Sequence, residues 1–573
     1  MRLKKSVSKN STSLSIIKST YENGKRSSKV VENLGNLEQI RAAHPGLDPL
    51  VWAQARCDEL TAAEAAGKQD ILVRLSPAKR IKEGELRSVN GGYLFLQDIY
   101  YDLGLQHICR TIKDKYRFTF DLNEILSRLI YGRILHPTSK RATHVFSKTF
   151  IEPCTFELQH VYRALEVIAN ECDFIQAELY KNSKKISRRN DTILFYDCTN
   201  YFFEIEQEEG LKQYGYSKEH RPSPIVQMGL FMDGDGVPLA FCINPGNTNE
   251  QNTLVPLERK ILKDFAHSRF IVCTDAGLSS ASNRRFNDTK TRRFITTQSI
   301  KKLKGYLKDW ALDPGGWRLS PEGKEYDITK LDEEKCKDLI FFKERWIKED
   351  TEDALEQRLI ITFSIKYRNF QRQIRSRQIE RAERLIKTNP KKIQTPRQND
   401  FKRLISKTPL TPDGEIANKT VYTIDEERID AEQAYDGLYS VCTNLKDSAP
   451  MIAAINKKRW EIEECFRIMK DEFKARPAYL SRDDRIKAHF ATCFVSLVIY
   501  RLLEKKLGGK YTCSEILSGL KSMNFLKVKG EGYIPSYTRN DFTDDLHKEF
   551  GFRTDHQIVT TAHMRENIRK TKK

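Results

Sequence analysis

Two short apolar runs, each followed by an aspartate, constrain the fold more than any other feature of this chain. Residues 193–196 lead to Asp197, and residues 270–274 lead to Asp275. Both runs are rich in β-formers and are bounded by small residues, which is typical of buried strands. A carboxylate at the end of a buried parallel strand points toward the crevice where α/β proteins bind ligands. One such aspartate is often only a turn former, but two of them predict a cation site.

The segment between and after these aspartates predicts the topology. Two apolar runs flank the turn Asp233-Gly234-Asp235-Gly236, which indicates a β-hairpin. Apolar residues at helical spacing over 253–265 predict a helix, and residues 294–298 predict one more strand. The order is therefore three antiparallel strands, a helix, a strand, a helix and a strand. This is the element order of a ribonuclease H-like α/β fold, with Asp197 and Asp275 at one end of the sheet.

A third acidic residue, Glu463, lies in a segment with helical periodicity. One face of that helix carries Arg459, Glu463, Arg467 and Lys470, because these positions recur at helical spacing. A neighbouring apolar stripe predicts that the helix packs on one side. A solvated face with ion pairs between successive turns is the ordinary interpretation of such a pattern. The two upstream aspartates favour a cation site that Glu463 completes.

Several blocks in this order resemble the insertion-sequence transposases of the DDE superfamily. Arg459, Glu463 and Lys470 match, in type and spacing, the Tyr-x2-Arg-x3-Glu-x6-Lys block of one branch, although Asn456 stands in the tyrosine position. The other similar blocks include residues 196–204, 215–221, 274–278 and 436–444. The resemblance runs from residue 90 to residue 505 and implies a transposase with a ribonuclease H-like catalytic core.

The resemblance also implies a mechanism. Asp197, Asp275 and Glu463 would be the catalytic and metal-binding residues, holding two Mg²⁺ ions, for which Mn²⁺ can substitute. Strand cleavage and strand transfer would then occur at one site. Arg459, Arg467 and Lys470 would bind DNA phosphates.

Composition predicts a polyanionic partner. The chain has 98 Lys and Arg against 78 Asp and Glu, a net charge of +20, which favours nucleic acid. Residues 366–407 hold 14 Lys and Arg and three acids, so Arg372, Arg375 and Arg377 are predicted DNA contacts. An acidic membrane surface is the rival partner, but no basic amphipathic helix or lipidation motif supports it. We expect double-stranded DNA, both terminal repeats and target, bound by a dimer, with no small-molecule substrate.

Other sequence features predict the cellular compartment of the protein. The twelve cysteines form no Cys-x2-Cys pair and the histidines no paired ligand motif, so no structural zinc is expected. The longest apolar stretch, residues 490–500, is too short to span a bilayer and predicts a core helix. No signal-peptide core is present at the N-terminus. We expect a cytoplasmic, nucleoid-associated protein of a bacterial or archaeal cell.

Six segments are predicted along the chain. They are a small β-hairpin unit (1–70), a helical, DNA-end-binding domain (71–190), the first part of the ribonuclease H-like core (191–298), a basic, partly β insertion subdomain (299–435), the completion of the core with the Glu463 helix (436–506), and a polar tail without an assigned role (507–573).

Two alternatives to an active transposase stay open at this point. A ribonuclease H-like nuclease or resolvase would use the same metals without strand transfer. A non-catalytic DNA-binding protein descended from a transposase would share the fold, but Asp197, Asp275 and Glu463 are all present, which argues against it.

Overall fold

The computed structural model describes residues 1–8, 11–22, 25–66, 71, 73, 77–348, 355–388, 400–410 and 419–573. They belong to two compact units, Met1–Glu85 and Leu86–Lys573.

The first unit is a three-stranded antiparallel sheet with two helices. Its elements are β1 (Arg2–Val7), β2 (Thr12–Glu22), β3 (Lys25–Asn36), α1 (Leu37–Ala43) and α2 (Pro49–Ala66). Leu14, Ile40 and Ala53 form its small core. β2 and β3 pair as the predicted hairpin, with Glu22 opposite Lys25, while the turn residues Asn23 and Gly24 lie outside the described residues.

The second unit contains the remaining fourteen strands and seventeen helices of the described chain. The strands are β4 (Ser88–Asn90), β5 (Ile193–Phe202), β6 (Ile225–Asp233), β7 (Pro238–Pro245), β8 (Phe270–Thr274), β9 (Arg292–Thr297), β10 (Phe341–Ile347), β11 (Gln357–Phe363), β12 (Ile405–Leu410), β13 (Lys419–Ile424), β14 (Leu438–Thr443), β15 (Asn524–Val528), β16 (Gly532–Pro535) and β17 (Val559–Thr560). The helices are α3 (Tyr93–Asp102), α4 (Leu105–Lys115), α5 (Leu122–Leu135), α6 (Lys140–Ser147), α7 (Leu158–Asn170), α8 (Cys172–Ile186), α9 (Leu254–Asp264), α10 (Ala281–Phe286), α11 (Gly305–Leu312), α12 (Ile365–Thr388), α13 (Glu426–Gln433), α14 (Ala449–Lys457), α15 (Trp460–Arg467), α16 (Asp483–Lys506), α17 (Cys513–Ser522), α18 (Asp541–Phe550) and α19 (Thr561–Lys570).

An eight-stranded mixed sheet forms the centre of this unit, in the order β10-β11-β14-β9-β8-β5-β6-β7. β5, β6 and β7 are antiparallel neighbours. β8 runs parallel to β5, and β9 runs parallel to β8. These five strands have the order and directions of a ribonuclease H-like core, which confirms the predicted fold class. The predicted insertion contributes β10 and β11 to the same sheet, so part of it extends the core.

Helices cover both faces of the sheet, and each face buries alternate residues of β5. On one face Leu194 and Tyr196 pack in a cluster with Leu257 and Ile261 of α9. On the other face Phe195 and Tyr201 join the main core, together with apolar residues of α15 and α16. This alternation follows from the two-residue period of a strand. It decides which way each functional side chain of β5 points.

The helix α16 is the most apolar long helix of the described chain. By length and composition it could cross a membrane, but 94% of its apolar window is buried inside the protein. It packs against α5 and α7, and Phe490, Phe494 and Leu497 belong to the main core. The core helix that the sequence predicted at residues 490–500 is therefore confirmed.

Residues 507–573 are folded, so their prediction as a polar tail was wrong. β15 pairs with β4 across the two ends of the unit, and the amide of Asn90 donates to the carbonyl oxygen of Lys521 at 3.2 Å. Leu520, Phe525 and Leu546 are fully buried. The charged residues that suggested a tail lie between these apolar positions. The segment 86–190 and the C-terminal segment thus share one core.

One carboxyl group is buried under the sheet. Glu258 on α9 has no exposed surface, and the amide of Asn287 donates to its two oxygens at 2.8 and 3.0 Å. Burial is the main cause that raises the pKa of Glu258 to about 8. The folded state therefore takes up a proton that the unfolded chain releases at the usual glutamate pKa.

Because the pKa of Glu258 is higher in the folded state, its contribution to stability is complete below the unfolded pKa and is lost as pH rises toward 8. We expect Glu258→Gln to remove this dependence, on the order of 1.4 kcal/mol per pH unit across that window. Urea unfolding of both proteins at pH 5 and pH 8 measures it. Parallel losses of stability in both proteins would contradict the assignment.

Candidate active site

Asp197 lies on β5 with its side chain on the face covered by α15 and α16. Phe195 and Tyr201, which share its alternation along the strand, both pack in that core. The strand does not end at Asp197, as the sequence analysis predicted, but continues to Phe202 because β6 pairs with it throughout. What ends near Asp197 is the parallel pairing with β8, whose last partners are Phe195 and Cys273.

Asp275 continues the same register on the neighbouring strand. Since Phe195 lies opposite Cys273, Asp197 and Asp275 are each two residues beyond the last pair. Asp275 caps a short 3₁₀ turn, and its Oδ1 accepts from the backbone amide of Leu278 at 3.0 Å. The predicted convergence of the two aspartates at one point of the sheet is therefore found in the structure.

Burial and several neighbouring charges shift the pKa of the Asp197 carboxyl group. Burial is the largest cause raising the pKa of Asp197 to about 6, and the carboxylate of Asp275 raises it further. The ammonium group of Lys218 and the guanidinium of Arg459 lower the pKa of the same carboxyl. Two partly buried carboxylates that repel each other at a sheet edge form the kind of site that a cation stabilises.

The oxygens of both aspartates have little to bind within the protein. Among the contacts of the described residues, the carboxylate of Asp197 accepts only from the adjacent amide of Cys198, at 2.7 Å, and the carboxylate of Asp275 only from the amide of Leu278. The remaining carboxylate oxygens are hard ligands without a donor. Such a donor set fits Mg²⁺ or Mn²⁺, which prefer carboxylate and water oxygens.

Glu463 lies on α15, which packs on β5 through Ile462 and Phe466. Its carboxylate is 3.6 Å from the guanidinium of Arg459, the same group that lowers the pKa of Asp197. The side chain of Glu463 is 60% exposed. The structure thus brings Glu463 to the Asp197 side through Arg459, and it shows no hydrogen bond from Glu463 to either aspartate among the described residues.

The two neighbouring acids on α15 have other partners. Glu461 is 3.3 Å from the guanidinium of Arg501, which also donates to the carbonyl of Gly236 in the β6–β7 turn. Glu464 forms an ion pair with Arg467 at 2.9 Å. Both therefore neutralise nearby cations, and Glu463 is the acid of this helix best placed to join the aspartates.

Lys470 leaves the common face that α-helical spacing predicted, whereas Arg467 is the last residue of α15 and keeps that spacing. After Arg467 the chain forms a π-helical turn, Ile468–Glu472, which has more residues per turn than an α-helix. Lys470 is mostly buried, 3.5 Å from Glu219 and over the ring of Tyr201. Arg467 is 65% exposed beside Glu464. Neither residue contacts Glu463 in the described structure.

Lys218 is a site residue that the sequence analysis did not single out. Its ammonium group lies 3.0 Å from Glu250 and donates to the carbonyl of Cys198, next to Asp197. The loop that carries it is held where Asn200 donates to the carbonyl of Tyr216 at 3.0 Å. Residues 215–221 are one of the blocks that resemble insertion-sequence transposases, but no spacing in the sequence indicates that this loop folds back onto β5.

Asn456 and Arg375 are both buried and bind partners inside the protein. Asn456, which stands in the tyrosine position of the third block, is buried and donates to the hydroxyl of Tyr439 at 2.9 Å. Arg375 is buried and binds both oxygens of Asp436. The interpretation of Arg375 as a DNA contact is therefore corrected, because its guanidinium group is buried and already paired with Asp436.

The rest of the basic segment, where it is described, is partly on the surface, while Arg368 and Arg403 are largely buried and paired with Glu333 and Glu432. Residues 365–388 form the long helix α12, on which Arg372 and Arg377 are exposed. Arg372 is 3.7 Å from Asp436 and 53% exposed. Lys391, Lys392 and Arg397 lie outside the described residues.

Comparison with known proteins adds the family. The transposase DDE domain matches residues 201–499, more than half of the chain, a range that includes Asp275 and Glu463 and begins just after Asp197. No curated protein matches the chain.

Solved structures of transposases are similar at low levels. A piggyBac transposase synaptic complex with hairpin DNA shares 8% identity, covers 86% of this chain and 88% of its own, and has a TM-score of 0.35. The Mos1 transposase paired-end complex with the left transposon end shares 15% identity over 40% and 63%, with a TM-score of 0.13. A Mos1 mariner paired-end complex with Mn shares 14% identity over 45% and 70%, with a TM-score of 0.13.

These likenesses are too weak to carry functional conclusions. The match to the transposase DDE domain covers more than half of the chain. Its range contains Asp275, which follows β8, and Glu463 of α15, and it shows the family of this chain. This chain belongs to the family of transposases built on a DDE domain.

Proposed function

We propose that Asp197, Asp275 and Glu463 together form the site with which this transposase cleaves and joins DNA strands. The observation that carries the proposal is the register of β5 and β8, which sets two repelling carboxylates on the face where α15 packs. Glu463 extends from that helix toward the same side through its ion pair with Arg459.

We propose Mg²⁺ as the physiological metal, with Mn²⁺ as a substitute. Transposases of this family are metal-dependent, and the carboxylates of Asp197, Asp275 and Glu463 would hold two ions. When bound, divalent ions in such a site activate an attacking hydroxyl and stabilise a leaving oxygen. The protein supplies the acceptor oxygens and keeps them at one end of the sheet.

The cations near these carboxylates would position the scissile phosphate. Arg459 and Lys218 already act on the charge of Asp197, so a phosphate beside that carboxylate would lie within their reach. Arg459 can bind two phosphate oxygens at once, whereas Lys218 acts as a point charge. Lys470 forms an ion pair with Glu219 and would support Arg459 and Lys218 without contacting the phosphate itself.

The proposed partner is double-stranded DNA, both the ends of the mobile element and the target, bound by a dimer. The net charge of +20 and the exposed arginines of α12 support this proposal. A location on the chromosomal DNA of a bacterial or archaeal cell is part of the same proposal.

We expect Asp197→Asn, Asp275→Asn and Glu463→Gln each to slow cleavage by on the order of 10²–10³-fold. Each substitution removes one negative carboxylate charge on which the stabilisation of the reacting centre depends. Single-turnover cleavage of a pre-bound duplex with the element's terminal sequence measures this. DNA binding in Ca²⁺ should stay near wild type. Glu464→Gln is the matched control on the same helix, and loss of cleavage there instead of at Glu463 would move the third carboxylate.

Metal binding gives a readout that does not depend on catalysis. We expect Mn²⁺ to raise the melting temperature of the wild-type protein, because the ion relieves the repulsion between Asp197 and Asp275. The Asp197→Asn and Asp275→Asn variants should show little rise. Cleavage should need Mg²⁺ or Mn²⁺ and stop with EDTA. An equal Mn²⁺ response in all three proteins would place the metal elsewhere.

Two arginines of α12 are expected to differ in role: Arg377 binds DNA at the surface, and Arg375 stabilises the fold. We expect Arg377→Gln to flatten the slope of log affinity against log salt by about one, as for one lost phosphate contact, without a change in stability. Arg375→Gln should destabilise the fold by about 3–5 kcal/mol, since it leaves Asp436 buried without its partner. Salt titrations of duplex binding and urea unfolding measure the two effects. An unchanged slope for Arg377→Gln would remove α12 from the DNA track.

A further inference from the structure

A cavity of about 350 Å³ lies beside the end of the catalytic helix segment. Its wall contains Arg133 from the last turn of α5, Lys140 from the first turn of α6, Lys474 and Arg476 from the segment after the π-helical turn, and His489 from α16. Among the residues that the structure describes, no acidic side chain lines it. The cavity therefore gathers basic groups from four parts of the second unit.

Two of these cations are buried without a counter-ion. Lys140 is 5% exposed and has no ion pair or hydrogen bond among the described residues. Arg133 is 4% exposed and donates only to backbone carbonyls, at 3.0 Å to Phe473 and 3.1 Å to Thr138. Its Nε is buried without a partner. Burying such charges without an opposite charge beside them is costly, because backbone carbonyls replace only part of the lost water.

Most other buried cations among the described residues are paired with carboxylates; Arg128 is an exception that donates to the backbone carbonyl of Glu152 and lies over the rings of Tyr93, Tyr131 and Phe150. Arg189 lies 2.6 Å from Asp233, Lys212 lies 3.0 Å from Glu209, and Arg375 binds Asp436. Arg133 and Lys140 depart from this pattern in the same cavity. A structural role alone does not account for two neighbouring buried cations that face a cavity instead of an acid.

The electrostatics of the cavity agree with this geometry. Burial, followed by the charge of Arg133, lowers the pKa of Lys140 to about 7. Burial and the charges of Lys140 and Arg133 hold the pKa of His489 well below its usual value. The positive charges of Lys140 and Arg133 oppose each other and keep His489 neutral, so an anion in the cavity would be stabilised by Lys140 and Arg133.

The cavity is also connected to the catalytic segment. Arg133 holds the backbone carbonyl of Phe473, which directly follows the π-helical turn. Arg476 forms an ion pair with Glu219, and Glu219 is 3.5 Å from Lys470. An anion bound here would thus be linked through the chain to the residues beside the catalytic carboxylates.

We propose that this cavity binds a phosphate group of the DNA backbone, with Lys140 and Arg133 as its charged donors. The proposal rests on the proposed function, because DNA is the polyanion that a transposase brings to this side of α15. The side chains of Tyr162 and Pro477, which also line the cavity, offer apolar walls for the sugar next to that phosphate. Ser139, the N-cap of α6, adds a hydroxyl group at its rim.

The test compares Lys140→Met with Lys335→Met, a control that removes a lysine 84% exposed. Binding to a duplex of about 40 base pairs of arbitrary sequence is measured in EDTA over a range of KCl concentrations. We expect Lys140→Met to weaken binding at low salt and to flatten the salt slope by about one, more than the control does. Lys140→Gln serves as a second neutral variant. A slope and affinity equal to those of the control would overturn the proposal.

A second arm uses inorganic phosphate as the probe. We expect phosphate to raise the melting temperature of the wild-type protein more than KCl of equal ionic strength, and not to do so in Lys140→Met. The wild-type comparison is informative even if both variants fail to fold, since an equal effect of phosphate and KCl overturns the site. Stabilisation by phosphate with unchanged DNA binding would assign the cavity to free phosphate and overturn the DNA proposal.

These measurements are independent of the proposed catalytic residues, because EDTA removes the metal and no cleavage is followed. Normal cleavage by the Asp197, Asp275 and Glu463 variants would overturn the proposed active site and leave the Lys140 result intact. Failure of the wild-type protein to bind any duplex would overturn the proposed function, whereas the phosphate arm would still report on the cavity.

Discussion

The parallel pairing of β5 with β8 is the constraint on which the proposed catalytic site depends. The backbone ladder fixes Phe195 opposite Cys273, so the carboxylates of Asp197 and Asp275 come together although their charges repel. Two such groups in a flexible loop would move apart. Here they cannot, since the hydrogen-bonded strands and the cores on both faces hold them. The repulsion persists in the folded protein and favours a bound cation.

The packing on the two faces of the sheet protects this arrangement against a shift in register. A slip of one residue would turn Leu194 and Tyr196 toward α16 and Asp197 toward the apolar cluster around α9. Both apolar sets are buried, so the slip would bury a carboxylate and misplace two apolar clusters. The same contacts that stabilise the core therefore keep Asp197 on the side of α15. Arg459 and Lys218 then offset part of the remaining negative charge.

The sequence predicted those parts of the molecule that depend on local periodicity. The strands around Asp197 and Asp275, the hairpin between them and the apolar stripe of α15 are patterns of two or 3.6 residues, and the structure contains all of them. Partners far apart in sequence left no such signal. Arg375 meets Asp436, Asn456 meets Tyr439, and Lys218 returns to Cys198 only through tertiary packing. Lys470 was displaced because a π-helical turn changed the spacing on which its prediction relied.

Buried cations show why net charge locates a DNA-binding surface poorly. The basic segment 366–407 drew attention to Arg375, yet that guanidinium is neutralised by Asp436 and stabilises the fold. Lys140 and Arg133 lie in an unremarkable helical region of the sequence, and the fold leaves them without an acid. A positive charge is available to a phosphate only if the protein has not already paired it. A buried cation that has no counter-ion and also lines a cavity is therefore a better guide to an anion site than the density of lysine and arginine along the chain.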